Sequence, residues 1–534
     1  MKKLLLFCLL TGYSTSFAQT QLVFVYFNDK PNKAAFYANP LSELSQKSLN
    51  RRSTLGISLN DQDAPIEQSY IQNIQNLGFT VTDYSKWLNG VAVNATTAQI
   101  TTLQSQPYVQ TVESFAKNSN GGTKIAHQNK WQETSTTNKT QTLFDYGNGS
   151  AQIDQINLRP LHLAGYTGTG VTIAVIDAGF PTVDTGSAFS RIRNNHQIKG
   201  GYDFVAKSSN IYNPTLLDHG TVVLGAIGGY LENSFVGSAP DADFYLYRSE
   251  NATVEVPEEE LYWIEAAEEA DRKGVDLITT SLGYSTFDDS RYNYTYSDMN
   301  GTKSFIARAA EIAVNKGIFV LIAAGNSGAQ PWHYITTPAD NAKVFSIGSV
   351  DSSGNPSNFS SFGPNSLGII KPNGSVRGSA AATVNNNSQV SVSGTSIAAP
   401  IAAGGVVCLL QAFSSMNRDQ MRARLQQTAS LYPSHTDQMG YGILNFGNFY
   451  NGVLNTSELV KKEKLSIFPN PVKNILNIAS ENDIISVEIY DNLGRFILKS
   501  KDEKSVKVDY FQNGVYYLKV QTKEKMYYEK FIKE

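Results

Sequence analysis

Two hydrophobic patterns alternate through the middle of the chain. Residues 171–176, 275–281, 318–324 and 344–350 are short, mostly apolar runs, the signature of strands buried on both faces. Between them, apolar residues recur at helical spacing. In 257–273 they are Leu261, Ile264, Ala267 and Ala270, and a second such stretch covers 305–315; Gly274 and Gly317 follow as stops. Helix followed by buried strand, repeated, predicts an α/β fold whose mostly parallel sheet carries helices on both faces. Glu258, Glu259 and Glu260 open the first helix at its positive end, with Arg272 and Lys273 at its negative end. The glutamates are expected to be a solvated helix start, not a metal site.

The pattern changes on either side. Residues 19–116 predict a small α+β unit: strands at 22–27, 79–82, 90–93 and 109–112, and helices at 65–76 and 98–104. Pro65 opens the first of these helices, Gly78 ends it, and Ile66, Tyr70, Ile74 and Leu77 share one face. Ile100 and Leu103 point inward from the second. Beyond residue 464, strands at 465–468, 487–490 and 515–520, with turns at 491–494 and 513–514, predict a small antiparallel β-sandwich. Residues 117–149 are rich in Asn, Thr, Ser, Gln and Gly and predict an exposed linker, the natural place for a maturation cut. Residues 1–18 carry Lys2 and Lys3, an apolar stretch at 4–10 and Ser16-Phe17-Ala18, the form of a cleavable secretory signal too short to be a transmembrane anchor. The expected organisation is therefore signal peptide 1–18, α+β unit 19–116, linker 117–149, α/β domain 150–453, linker 454–463 and sandwich 464–534.

Composition narrows the function. The chain of 534 residues has a net charge of −3 and no basic patch interleaved with aromatics, so nucleic acid is not an expected partner. Of its two cysteines, Cys8 falls in the leader and Cys408 in an apolar run, which excludes an intramolecular disulfide in the exported chain. The six histidines show no paired metal-ligand spacing, so a zinc site is not expected.

The candidate chemistry centres on Ser393-Gly394-Thr395-Ser396-Ile397-Ala398-Ala399-Pro400. The run 397–410 that follows predicts a helix buried all round and too short to span a bilayer. Ser396 then sits where free N–H groups and the helix dipole favour a negative oxygen, although an ordinary N-cap serine fits the same octapeptide. The strand at 171–176 delivers Asp177 at its C-terminal end, Asp218-His219-Gly220-Thr221 supplies an imidazole, and the strand 321–326 ends in Asn326.

The order Asp177, His219, Asn326, Ser396 resembles the subtilisin-like serine proteases over roughly residues 155–445. The resemblance implies a secreted serine endopeptidase. Ser396 would be the nucleophile, His219 the general base, Asp177 its orienter, and Asn326 the oxyanion donor. It also implies that Ser281, Leu282 and Gly283 pair with a peptide substrate as an added strand, and that Ala323, Ala324 and Gly325 form a wall of the primary specificity pocket. Walls so small imply a roomy pocket for a large apolar side chain. Residues 88–93, Leu-Asn-Gly-Val-Ala-Val, resemble the inhibitory propeptide of the family, and residues 441–445 the close of its catalytic domain. Phe468-Pro469-Asn470-Pro471 and the basic end Lys530-Phe531-Ile532-Lys533 resemble the C-terminal sorting domain of the type IX secretion pathway. The chain departs from the family pattern at Ile397, where Met is usual, at Val222, where a second His often stands, and at Asn373, where Asp is usual. The expected partners are protein or peptide substrates, the chain's own propeptide as inhibitor, and the type IX machinery. The expected location is secreted or at the cell surface. No organic cofactor is expected, and structural calcium, common in the family, maps to no loop here. The competing reading is a catalytically silent surface adhesin or binding protein on a protease scaffold.

Overall fold

The computed structural model describes residues 19–117, 144–461, 465–480, 483–492, 494–501, 504–522 and 526–534. The expected signal peptide and the greater part of the 117–149 linker lie outside these residues. The described chain forms two compact units that divide between Phe449 and Tyr450.

The first unit is built on a seven-stranded sheet. Its strand order is Gly374–Arg377, Phe345–Val350, Phe319–Ala323, Leu277–Thr280, Thr172–Asp177, Asp243–Arg248, Ile198–Asp203, and every pairing is parallel. Ala174, Ile176, Ile278, Val320 and Ile322 face a core shared with the helices Glu258–Lys273 and Phe305–Asn315. Their neighbours Ile173, Val175, Leu277 and Leu321 alternate to the opposite face and are equally buried. The helices His219–Gly228 and Thr395–Ala412 pack against each other and against this sheet. The predicted α/β architecture is the one found. The Thr395–Ala412 helix extends beyond the predicted 397–410 at both ends; it is long and apolar enough to cross a membrane, yet 89% of it is buried in the protein core.

Residues 21–114 of the same unit form a four-stranded antiparallel sheet in the order Asp83–Ser85, Gly90–Ala95, Gln21–Phe27, Val109–Ser114. It packs onto the helices Glu258–Lys273 and Phe305–Asn315. Leu22, Phe24, Trp87 and Phe115 join their core, and Phe115 stacks on Phe305 with ring centroids 3.8 Å apart. Several expectations are corrected here. The strand predicted at 79–82 is absent: Phe79 is buried in the small core, but the ladder forms only at Asp83–Ser85. The helix predicted from Pro65 starts at Gln68, where Glu67 caps it, and buries Ile71 while leaving Leu77 exposed. Two helices not predicted, Lys33–Ala38 and Gln46–Leu55, lie between the first strand and this helix. The expected linker is already packed at Tyr146, which is buried with its hydroxyl against His162 Nδ1.

The junction of the Gln46–Leu55 helix with the Glu258–Lys273 helix is strongly ionic. Arg51 and Arg52 are buried, both paired with the buried Asp271, and Arg52 also bridges to Asp63, which Lys316 contacts in turn at 2.8 Å. Arg51 further donates to the carbonyls of Val275 and Lys316. Burial opposes the charge on Asp271, but the two guanidiniums outweigh it and hold its carboxyl below the usual range.

The second unit has two antiparallel sheets, Ser466–Phe468, Ile475–Ala479, Ser505–Lys507 and Phe496–Lys501, Ile484–Asp491, Gly514–Thr522, Met526–Lys533. They enclose a separate core that includes Val472, Leu476, Ile489, Val520 and Phe531. The sandwich is as predicted, with one correction. Asn513-Gly514 is not a hairpin turn, because Ser505–Lys507 and Gly514–Thr522 belong to different sheets and the segment crosses between them. The expected linker 454–463 is also corrected: the Phe446–Lys461 helix runs through most of it.

Candidate active site

Three strand ends and two helix starts meet at the site. Asp177 ends the Thr172–Asp177 strand, where its Oδ1 accepts the Ala178 N–H at 2.7 Å. Arg248, on the neighbouring strand, donates to the Ala178 carbonyl at 3.1 Å and to Asp203 at 2.9 Å, which fixes the turn that carries Asp177. His219 opens the wholly buried helix His219–Gly228. Gly220 lets that helix start sit directly on the strand end: a β-carbon there would come within 3.1 Å of Asp177 Cβ and 2.9 Å of the Phe180 ring. His219 Nδ1 lies 2.6 Å from Asp177 Oδ1, with both residues fully buried. A carboxylate accepts, so Nδ1 carries the proton and Nε2 is the basic nitrogen. Asp218 faces elsewhere, accepting from Asn385 Nδ2 at 2.7 Å.

Ser396 is the second residue of the Thr395–Ala412 helix, and Gly394 occupies the N-cap. The capping role open to Ser396 in the sequence is therefore taken by another residue. Its Oγ is buried and has no hydrogen-bond partner among the described residues. Its backbone N–H is in the first turn, where helix geometry provides no partner. The Ser281 hydroxyl donates to the Ser396 carbonyl at 2.9 Å, tying the residues that follow the Leu277–Thr280 strand to the serine helix.

Asn326 follows the Phe319–Ala323 strand. Its Oδ1 accepts both the Thr395 N–H at 2.8 Å and the Thr395 hydroxyl at 3.0 Å, while Thr395 Oγ1 accepts the Gly325 N–H at 3.2 Å. With Oδ1 committed to two donors, the amide is locked and its NH₂ group is turned away from Thr395. Thr395 stood in the octapeptide without an assigned role; its place immediately before the serine is the one sequence cue. Ser281, Leu282, Ala323 and Ala324 are buried beside these residues, and Gly283 and Gly325 are half-buried.

The expectation of a solvated glutamate run is overturned. Glu259 and Glu260 are buried. Glu259 accepts the N–H groups of Asn251 and Val256, and Glu260 accepts the Tyr294 hydroxyl and the Ile306 N–H. The helix start faces the body of the protein, and backbone donors replace water. The fold also gathers Glu250, Glu255 and Glu259, with one oxygen of each within 4.8 Å of the others. Burial, and then the charges of Glu250 and Glu255, raise the Glu259 carboxyl well above the usual carboxylate range. Tyr284, directly after Gly283, reaches Glu250 at 3.4 Å. Lys371 is another buried group: its amine donates to the Val344 carbonyl and to Asn373, and burial lowers it to about 7. Cys408 is buried, which pushes its thiol up.

Comparison with known proteins follows this geometry. The subtilase family matches residues 168–443, the peptidase S8 propeptide domain of Bacteroidota residues 22–136, and the secretion system C-terminal sorting domain residues 466–534. Subtilisin NAT of Bacillus subtilis subsp. natto is 30% identical over 300 residues, which cover 55% of this chain and 69% of that protein. The thermostable alkaline protease of Halalkalibacterium halodurans is 29% identical over 301 residues, 55% of this chain and 72% of the relative. Fold and relatives together define a serine endopeptidase. The chain belongs to the subtilase family, with a propeptide domain before the protease and a type IX sorting domain after it. The sorting domain marks it for export to a secreted or cell-surface location.

Proposed function

We propose that this subtilase hydrolyses peptide bonds through Ser396, His219 and Asp177, with Asn326 as oxyanion donor. Ser396 Oγ attacks the peptide carbonyl, and His219 Nε2 takes its proton and passes it to the leaving amine. Asp177 keeps the proton of the neutral imidazole on Nδ1 and stabilises the imidazolium that forms. The carbonyl oxygen, negative in the tetrahedral intermediate, receives the Asn326 NH₂ group and the unpaired N–H of Ser396. Water then hydrolyses the acyl-enzyme by the same steps in reverse. The scheme draws on side chains and backbone of this chain alone.

The observation that carries this reading is the buried 2.6 Å contact between His219 Nδ1 and Asp177, which leaves the histidine a base of defined orientation. The test is labelling with an active-serine phosphonate. Wild type should label and lose peptidase activity; Ser396→Ala should do neither while keeping its fold. A wild type that stays unlabelled would favour a silent binding protein on a protease scaffold.

The propeptide domain packs on helices of the protease by a shared apolar core and a buried ionic network. This supports its action as the enzyme's own inhibitor. Lys117, its last described residue, donates its N–H to the Arg291 carbonyl at 2.7 Å, which places the exit of the domain against the protease surface.

A further inference from the structure

The expected pocket wall Ala323, Ala324 and Gly325 and the expected substrate-pairing segment Ser281, Leu282 and Gly283 are extensions of adjacent parallel strands and face each other as two walls. Leu277–Thr280 continues into Ser281, Leu282 and Gly283; Phe319–Ala323 continues into Ala324, Gly325 and Asn326. A third segment fills the space between them. Thr336 N donates to the Ala324 carbonyl at 3.4 Å on one side. On the other, Tyr284 and Thr337 exchange N–H···O bonds of 2.9 and 3.1 Å. Thr336 therefore sits between the stitches to both walls.

Its side chain touches both glycines. A β-carbon on Gly283 would overlap Thr336 Oγ1. One on Gly325 would stand 3.3 Å from Thr336 Oγ1 and 3.5 Å from its Cγ2. Ser361 closes the same corner: its Oγ would lie 2.9 Å from that Gly325 β-carbon, its N–H donates to the Gly325 carbonyl, and its hydroxyl accepts the Ser327 N–H. Thr336 is 6% exposed and Ser361 is completely buried. A β-branched side chain has few χ1 states, and one wedged between two backbones has no room to swing clear.

We infer that Thr336 is the floor of the pocket for the substrate side chain on the acyl side of the scissile bond, and that it restricts the enzyme to small residues there, such as alanine and serine. This rests on the protease reading above and reverses the size preference expected from the walls. The walls stand close because Gly283 on one side and Gly325 on the other put no β-carbon between themselves and Thr336. The pocket is shallow because a threonine methyl and hydroxyl stand where a larger side chain would have to go. An aromatic ring could enter only by displacing Thr336 from its rotamer or by splaying walls that are stitched to it, and overpacking of that kind is penalised steeply.

The experiment uses enzyme purified after expression of the full chain, and tetrapeptide anilides that differ only in the residue before the scissile bond: Ala, Val, Leu or Phe. Wild type should give a kcat/KM at least about tenfold higher for Ala than for Phe, in the range that pocket fit supplies. Thr336→Gly should shift the Phe-to-Ala ratio toward Phe by about tenfold or more, and Thr336→Ala should shift it less in the same direction. Comparing ratios cancels any general loss caused by the substitution. A wild type that prefers Phe or Leu, or a ratio that does not move in either variant, would overturn the assignment. Phosphonate labelling of the same samples separates the two readings: labelled enzyme with the wrong preference sinks only the Thr336 proposal, whereas enzyme that neither labels nor cleaves any of the four sinks the protease reading with it.

Discussion

Thr395 holds Asn326 by two hydrogen bonds to one oxygen, from its backbone N–H at 2.8 Å and from its hydroxyl at 3.0 Å. The residue before the proposed nucleophile thus sets the direction in which the proposed oxyanion donor points. Removing an oxyanion donor outright costs about 10²–10³ in kcat. Loosening one should cost less. Thr395→Ala is expected to lower kcat roughly tenfold at nearly constant KM, because the affected bond forms mainly in the transition state. Thr395→Ser keeps the hydroxyl and should restore most of the rate. A rise in KM at unchanged kcat would assign Thr395 to substrate binding instead.

Arg51 makes the buried junction between propeptide and protease a strong prediction. It serves two carbonyls and Asp271 with almost no exposure to water. Removing one partner of a buried ionic cluster leaves the others desolvated and unmatched, at roughly 3–5 kcal/mol. Lys47 also pairs across the junction, with Asp276 at 3.1 Å, but its side chain is 41% exposed. An exposed pair contributes under about 1 kcal/mol. In an uncut Ser396→Ala precursor, Arg51→Ala should sharply increase proteolysis of the propeptide by an added protease, and Lys47→Ala should barely change it. Equal sensitivity of the two variants would mean that the apolar contacts of Phe24, Trp87 and Phe115 hold the junction and the ions do not.

The parts of this fold that were legible in the sequence are those whose signal is local. Buried parallel strands read as apolar runs, so the ends of Thr172–Asp177 and Phe319–Ala323, and with them Asp177 and Asn326, could be placed from the chain alone. The serine helix was legible for the same reason. What stayed hidden depends on partners distant in sequence. The Gln46–Leu55 helix buries arginines rather than leucines, because its neighbour presents Asp271, and no periodicity announces that. Glu259 reads as a solvated residue at a helix start until its helix is seen to begin against the backbone of Asn251 and Val256. Thr336 comes from a segment that belongs to neither wall, so its place against Gly283 and Gly325 could not be read from the walls alone.

Glu265 should make propeptide docking pH-dependent. It lies at the junction, accepting the Tyr84 N–H and pairing with Lys207, which also holds Asp83. Burial lifts its carboxyl from 4.5 to about 7, with Lys207 opposing and Asp83 adding to the rise. A carboxyl raised in the docked state favours docking when protonated. Its contribution is therefore full below about pH 4.5 and is lost as pH climbs through about 7. Lys30, which burial lowers to about 8, titrates above this window with the opposite sign. The Ser396→Ala precursor should thus show a propeptide that opens more readily at about pH 8 than at about pH 5. Glu265→Gln, which keeps an acceptor for Tyr84 but cannot ionise, should flatten that difference. An unchanged pH profile in the Gln variant would remove Glu265 as its source.

The sandwich at the end of the chain has its own core, and none of the residues around Ser396, His219 or Asp177 belongs to it. A unit with a separate core need not support the folding of its neighbour. Its match to the secretion system sorting domain assigns it to addressing the protein for export. Deleting residues 465–534 should therefore leave peptide hydrolysis by the purified enzyme within about twofold of the full chain. The same deletion should leave the enzyme in the periplasm, where fractionation of the expressing cells would find it. Efficient release of active truncated enzyme into the medium would separate export from this domain. A truncated enzyme that reaches the surface but no longer holds to a substrate polymer would make the sandwich a binding module.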